Sequence, residues 1–249
     1  MSRADSALFT LHRGDARDAY PDWPAPAAII SDGAYPDWRT PAAIISDGRY
    51  EIRDGETAGG TTDQADLICW YRDHIMAWTA AACRGTTLWI WNTELGWALL
   101  HPELDGQGWE FVQMIVWDKG ISGEVPWDGA VFPVVTEVCA VYRLRLEERV
   151  ESGAVAATAQ DRWADAHGLT NVWSPPSLRD SERFRGSLQD TGKAVAHPHQ
   201  KPLELMSRII CAATRPGDVI WEPFGGTATA SVAAVKLGRR AFAAERDPH

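Results

Sequence analysis

Chemistry is concentrated near the C-terminal end of this chain. There Asp218-Val219-Ile220-Trp221 reads as a buried strand that empties into Glu222-Pro223-Phe224-Gly225-Gly226-Thr227-Ala228-Thr229. An acid at a strand end, a glycine-rich turn and then a small-residue helix over 230–237 form the layout through which backbone amides approach a nucleotide-like ligand. A further strand, Arg240 to Ala244, delivers Glu245, and an acid about 20 residues beyond such a turn takes the ribose hydroxyls of a bound adenosine. A plain structural αβ turn has the same signature, and the dinucleotide fingerprint is absent, so the turn alone leaves both readings open.

Elements of alternating type must position these residues. Leu8 to Arg13 reads as a strand ending at Gly14-Asp15, where Asp15 is either a cofactor residue or a simple turn aspartate. Residues 19–33 and 34–48 are tandem copies of one unit, differing only at Pro24 versus Arg39 and Ala25 versus Thr40. Two copies make no solenoid. Each carries Pro-Ala-Ala-Ile-Ile-Ser-Asp-Gly, a short buried strand meeting a turn, followed by one residue and a tyrosine. A sheet has room for one such strand at its centre, so the other copy is expected as a loop or an alternative edge. Residues 51–66 are polar and glycine-rich and read as a loop beside the site. Beyond it the pattern gives a helix over 67–83, a strand over 86–91, a helix over 94–104, and strands over 109–117 and 136–142. After an irregular stretch to about residue 195, a helix over 203–214 precedes the Glu222 strand. Strands alternating with helices predict an α/β sheet.

Composition narrows the class. With 249 residues, 45% of them hydrophobic, the chain can bury one full core of the larger kind. It has no apolar run of membrane-spanning length, and residues 1–11 lack a basic region followed by an apolar one, so the expectation is an unexported, cytoplasmic protein with no membrane partner. Cys69, Cys83, Cys139 and Cys211 show neither paired spacing nor histidine company, which argues against a metal site and against disulfides. The net charge of −10 argues against a protein that coats DNA but leaves room for one that touches a short site through a local positive face.

His197-Pro198-His199-Gln200-Lys201-Pro202, followed by the Glu222-Pro223-Phe224-Gly225-Gly226-Thr227 turn, resembles the cofactor half of the amino-methylating DNA methyltransferases, whose two stretches are written HPTQKP and DPFxGSGT. His199, Glu222, Thr227 and Ala228 stand where that pattern has Thr, Asp, Ser and a second Gly. The resemblance implies S-adenosylmethionine as cofactor, held by Gln200, Lys201, Pro202, the turn residues Glu222, Pro223, Phe224, Gly225, Gly226, Thr227 and Thr229, the ribose acid Glu245, and Asp15 near the adenine. Asp32-Gly33-Ala34-Tyr35 and Asp47-Gly48-Arg49-Tyr50 both resemble the catalytic DPPY signature with its prolines lost. Trp117-Asp118-Lys119 resembles the family's Trp-x-Lys, and Thr136-Glu137 the start of its last hydrophobic strand. A catalytic signature that precedes the cofactor turn marks the permuted β class.

The fold so implied is a class I methyltransferase-type, Rossmann-like mixed sheet with helices on both faces and circularly permuted motif order. Residues 1–142 would be the catalytic half, 143–195 a target-recognition insertion and 196–249 the cofactor half. In the insertion, Arg179, Arg183 and Arg185 could meet phosphates or form a solvated loop. The implied partners are double-stranded DNA with a flipped base and a cognate restriction endonuclease. The implied reaction is methylation of adenine N6, with cytosine N4 and a catalytically silent relative as alternatives. Catalytic candidates are Asp47, Gly48 and Tyr50 in the second copy, and Asp32 and Tyr35 in the first. Chain geometry favours the second copy slightly: it hands Tyr50 straight to the glycine-rich loop, whereas Pro36 restricts Tyr35. Against it, Arg49 brings charge where the first copy has Ala34.

Overall fold

A computed structural model describes residues 3–5, 8–32, 64–83, 85–92, 94–120, 135–145, 169–175 and 200–245. Nine strands make one sheet: β1 (Arg3–Asp5), β2 (Phe9–Arg13), β3 (Ala28–Asp32), β4 (Thr87–Asn92), β5 (Trp109–Asp118), β6 (Thr136–Leu144), β7 (Val172–Trp173), β8 (Val219–Glu222) and β9 (Arg240–Glu245). Their order across the sheet is β1-β2-β9-β8-β3-β4-β6-β5-β7. From β2 to β4 all neighbours run parallel, while β6 lies antiparallel between β4 and β5. The sequence order of the two halves is therefore the reverse of their role in the sheet. The late strands β8 and β9 lie between the early strands β2 and β3.

The parallel strands are buried on both faces, and their side chains alternate between two cores. Ile29, Leu88, Ile90, Tyr142, Trp221 and Phe242 pack with the aromatic side chains of α2 (Gln64–Ala81) and with α3 (Glu94–Gly106). Ile30, Trp89, Trp91, Val141, Ile220 and Ala241 pack with α4 (Leu203–Ala213) and α5 (Thr229–Lys236). Among the described residues no helix is long and apolar enough to cross a membrane.

Two features differ from the sequence reading. A short helix, α1 (Ala16–Ala19), followed by a 3₁₀ turn over Tyr20–Asp22, fills what reads as a plain connection. And the central slot between β8 and β4 is held by the first repeat copy, not the second that chain geometry favoured. Burial of the shared Ala-Ile-Ile strand does not distinguish the copies, and of the lead-in residues only positions 24 and 25 differ between them. Tyr20 stacks on Trp221 at 5.2 Å, Trp23 meets Trp221 edge-on at 5.1 Å, and the Trp221 indole donates to the Pro24 carbonyl at 2.9 Å. Pro26 O accepts from Thr86 Oγ1 at 2.6 Å. The second copy carries Arg39 where Pro24 is half-buried, so the same seat would take a charge beside the indole. The second copy itself, with Asp47, Gly48 and Tyr50, lies outside the described residues, as do Gly33, Tyr35 and most of 143–195.

Candidate active site

Parallel strands finish on one edge of this sheet, and β6 begins there because it runs the other way. That edge gathers Asp15 after β2, Asp32 at the end of β3, Asn92 at the end of β4, Lys119 just after β5, Glu137 near the start of β6, Glu222 at the end of β8 and Glu245 at the end of β9. It is also the edge at which open α/β sheets bind ligands.

The glycine-rich turn is built by its two acids. Glu222, 4% exposed, caps α5: Oε1 accepts from Ala230 N at 3.0 Å, and Oε2 from Ser231 N at 2.8 Å and Ser231 Oγ at 2.5 Å. The helix needs this because its own N-cap, Ala228, has no polar side chain. Gly225 donates its N–H to Ala244 O at 2.7 Å, and a Cβ there would come within 3.2 Å of that same oxygen. Gly226, at φ +51°, donates to Glu245 Oε2 at 2.5 Å. The turn and the acid that the sequence assigned to a single ligand thus touch each other. The β2 end joins them, since Gly14 N donates to Glu245 O at 2.8 Å. Thr227 and Thr229 share a hydroxyl hydrogen bond at 3.0 Å. A cradle that leaves only tight room for a Cβ at Gly225, edged by a carboxylate, fits an adenosine-type ligand.

Asp15 has structural work of its own. It caps α1 through Arg17 N at 2.9 Å and holds the Arg17 guanidinium at 2.7 and 3.0 Å, while Arg17 reaches Asp73 of α2 at 3.1 Å. The Arg17 side-chain hydrogen bond outweighs burial and brings the Asp15 carboxyl down to about 2.

Phe224 anchors the turn on an aromatic floor formed by α2, with Trp70 at 5.1 Å and His74 at 4.9 Å. Behind them a buried side-chain relay holds the histidine. Trp78 Nε1 donates to Tyr20 Oη at 2.8 Å, and that hydroxyl shares a hydrogen bond with His74 Nδ1, also at 2.8 Å. Burial brings the His74 pKa down to about 4, which keeps the ring neutral. Nε2 meets no hydrogen-bond partner among the described residues. Sequence reasoning took Trp70 and Trp78 as ordinary helix periodicity. His74, one turn from each, completes that stripe and is the signal it missed.

The remaining predicted residues come in from the far side. Lys201 is 3% exposed, 3.2 Å from Glu137 Oε2, with its ammonium 5.8 Å from the centre of the Trp91 ring. Lys119 meets Glu137 Oε1 at 3.2 Å. Burial pushes the Glu137 carboxyl up, but the two lysines outweigh it and hold it below its usual range. Pro202 is the N-cap of α4 and fixes where that helix starts; Gln200 is half-buried. Asn92, 8% exposed, is a further buried polar group of this edge that the sequence did not mark; Gly96 makes room for it, since a Cβ there would lie 2.0 Å from Asn92 Oδ1.

A family model for DNA methylases matches residues 29–249. The Type II methyltransferase M2.DpnII of Streptococcus pneumoniae is 38% identical over 76 residues, 30% of this chain and 25% of that protein. The chain thus aligns with only a quarter of that relative's length. A DNA modification methylase of Thermus thermophilus, solved with S-adenosyl-L-methionine, has a TM-score of 0.58 at 19% identity over 97% of this chain and 90% of its own. The cytosine-N4-specific PvuII DNA methyltransferase has a TM-score of 0.69 at 13% identity over 98% of this chain and 83% of its own. At these identities the two structures show a shared fold.

Proposed function

The chain belongs to the DNA methylase family, and from that membership we propose that it moves a methyl group from S-adenosylmethionine to the exocyclic amine of a base flipped out of double-stranded DNA, with adenine N6 as the target. One observation carries the reading: β3, ending in Asp32, pairs directly with β8, whose end is Glu222 and the glycine-rich turn. The acid of the catalytic-type signature and the cofactor cradle are neighbours on one edge.

S-adenosylmethionine supplies an electrophilic methyl on a sulfonium. The protein's share is to hold and aim the amine. Its lone pair is delocalised into the ring, and flipping exposes the nitrogen. Hydrogen bonds from the amine to Asp32 and to the Gly33 carbonyl draw the nitrogen towards tetrahedral geometry. Tyr35 stacks on the base, a contact worth about 1–3 kcal/mol. As the new N–C bond forms, the methyl–sulfur bond breaks to leave a neutral thioether, and one amine proton is lost to solvent. On the cofactor side Glu245 takes the ribose, the amides of Gly225 and Gly226 allow close approach, and Gln200, Lys201 and Pro202 close the methionine end. Residues 143–195 act as the target-recognition insertion, with Arg179, Arg183 and Arg185 on phosphates, and the protein pairs with a cognate restriction endonuclease.

The test is transfer of tritiated methyl from the cofactor into DNA, followed by digestion to nucleosides. Label in N6-methyladenine is expected. Label in N4-methylcytosine would correct the target, and no label with intact cofactor binding would leave a silent relative.

A further inference from the structure

Three stretches that are far apart in the sequence, Trp117-Asp118-Lys119, Thr136-Glu137 and Gln200-Lys201-Pro202, converge on one carboxylate. Glu137 receives Lys119 on Oε1 and Lys201 on Oε2, each at 3.2 Å. It can do so because β6 is antiparallel to β4 and β5, which brings its N-terminal end to the edge where the parallel strands finish. The register then leads to Asp32 in two steps. Cys139, two residues after Glu137, pairs with Trp91, and Trp91 pairs with Asp32. Lys201 lies over the ring of that same Trp91.

A lysine side chain has four rotatable bonds and a strongly hydrated head, so nothing in its own chemistry fixes where the ammonium sits. Here the side chain is 3% exposed and its ammonium faces a carboxylate held on an inner strand. We propose that Glu137 is a positioning residue for methyl transfer: by gripping Lys201, it fixes the Gln200-Lys201-Pro202 wall of the cofactor pocket against the sheet edge that carries Asp32. Lys119 occupies the second oxygen and keeps the carboxylate from rotating away. The inference rests on the cofactor reading above.

A double-mutant cycle tests it, with S-adenosylmethionine binding by calorimetry as readout and melting temperature as the check on folding. Glu137→Gln and Lys201→Met are each expected to weaken binding about tenfold, and the double variant to be no weaker than Lys201→Met alone. Glu137→Asp, which keeps the charge, should recover most of the loss. If Glu137→Gln does not fold, Glu137→Met, neutral and of similar length, takes its place in the cycle. Effects that add would make Glu137 a packing residue and overturn the proposal, as would unchanged affinity in folded Glu137→Gln. A wild-type protein that binds no S-adenosylmethionine would instead sink the cofactor reading itself, and the inference with it.

Discussion

His74 gives this fold an acid-sensitive weak point in an unusual pH window. A histidine whose folded pKa lies below its unfolded value is held neutral by the native state, so its contribution is present above the unfolded pKa and is lost as pH falls towards the folded one. With about 4 in the fold against 6.5 unfolded, the window runs from about 6.5 down to about 4. Between pH 7 and pH 5 the unfolded chain takes up most of a proton that the native state refuses, which costs about 2 kcal/mol of stability. The side chain is 1% exposed, so solvent screening does not reduce that figure much. Asp15, a carboxyl that is also strongly shifted, loses its contribution only as pH falls from its ordinary value near 3.8 to about 2, outside this range. His74→Asn keeps a hydrogen-bonding partner for the Tyr20 hydroxyl without a titrating ring. Urea unfolding at pH 7 and pH 5 should show the wild type losing about 2 kcal/mol more than the variant. Equal losses in the two proteins would refute the buried, neutral assignment.

The turn supplies two further tests. Glu222→Gln puts an amide hydrogen-bond donor against a helix N-terminus that offers only donors, and should lower unfolding free energy by about 2 kcal/mol; an unchanged urea midpoint would mean that the cap is replaceable. Gly225→Ala drives a Cβ to 3.2 Å from Ala244 O and should lift the turn off β9. The expected cost is about 1 kcal/mol of stability together with weaker S-adenosylmethionine binding, and calorimetry showing unaltered affinity would count against a close approach of ligand to that backbone.

Much of the fold was legible because its physics is local. Buried strands such as Thr-Leu-Trp-Ile-Trp-Asn at 87–92 announce themselves by composition, and the strand, turn and acid from 219 to 245 follow one another in the chain. The central strand was not legible for a reason the repeat makes plain. Two copies with the same Ala-Ile-Ile strand bury the same area, Tyr20 and Trp23 recur as Tyr35 and Trp38, and the position that distinguishes the copies beside Trp221, Pro24 against Arg39, sits at a contact across most of the chain. The Lys119, Glu137 and Lys201 cluster was hidden for a similar reason. Each residue stood out in its own stretch, but only the antiparallel insertion of β6 brings them to one point. His74 was missed because a lone histidine on an aromatic helix face is read as core, and its hydrogen-bond partner is Tyr20, which belongs to an element that the sequence did not foretell.

The central claim is that the first repeat copy, through Asp32 at the end of β3, presents the acid that receives the base. Asp32→Ala and Asp47→Ala, made separately and assayed for tritiated methyl transfer into DNA at saturating S-adenosylmethionine, test it directly. Loss of transfer in Asp32→Ala with transfer retained in Asp47→Ala is the predicted result. The reverse pattern would contradict it, and activity that survives both single changes but not the double would show that the two copies exchange places in the sheet.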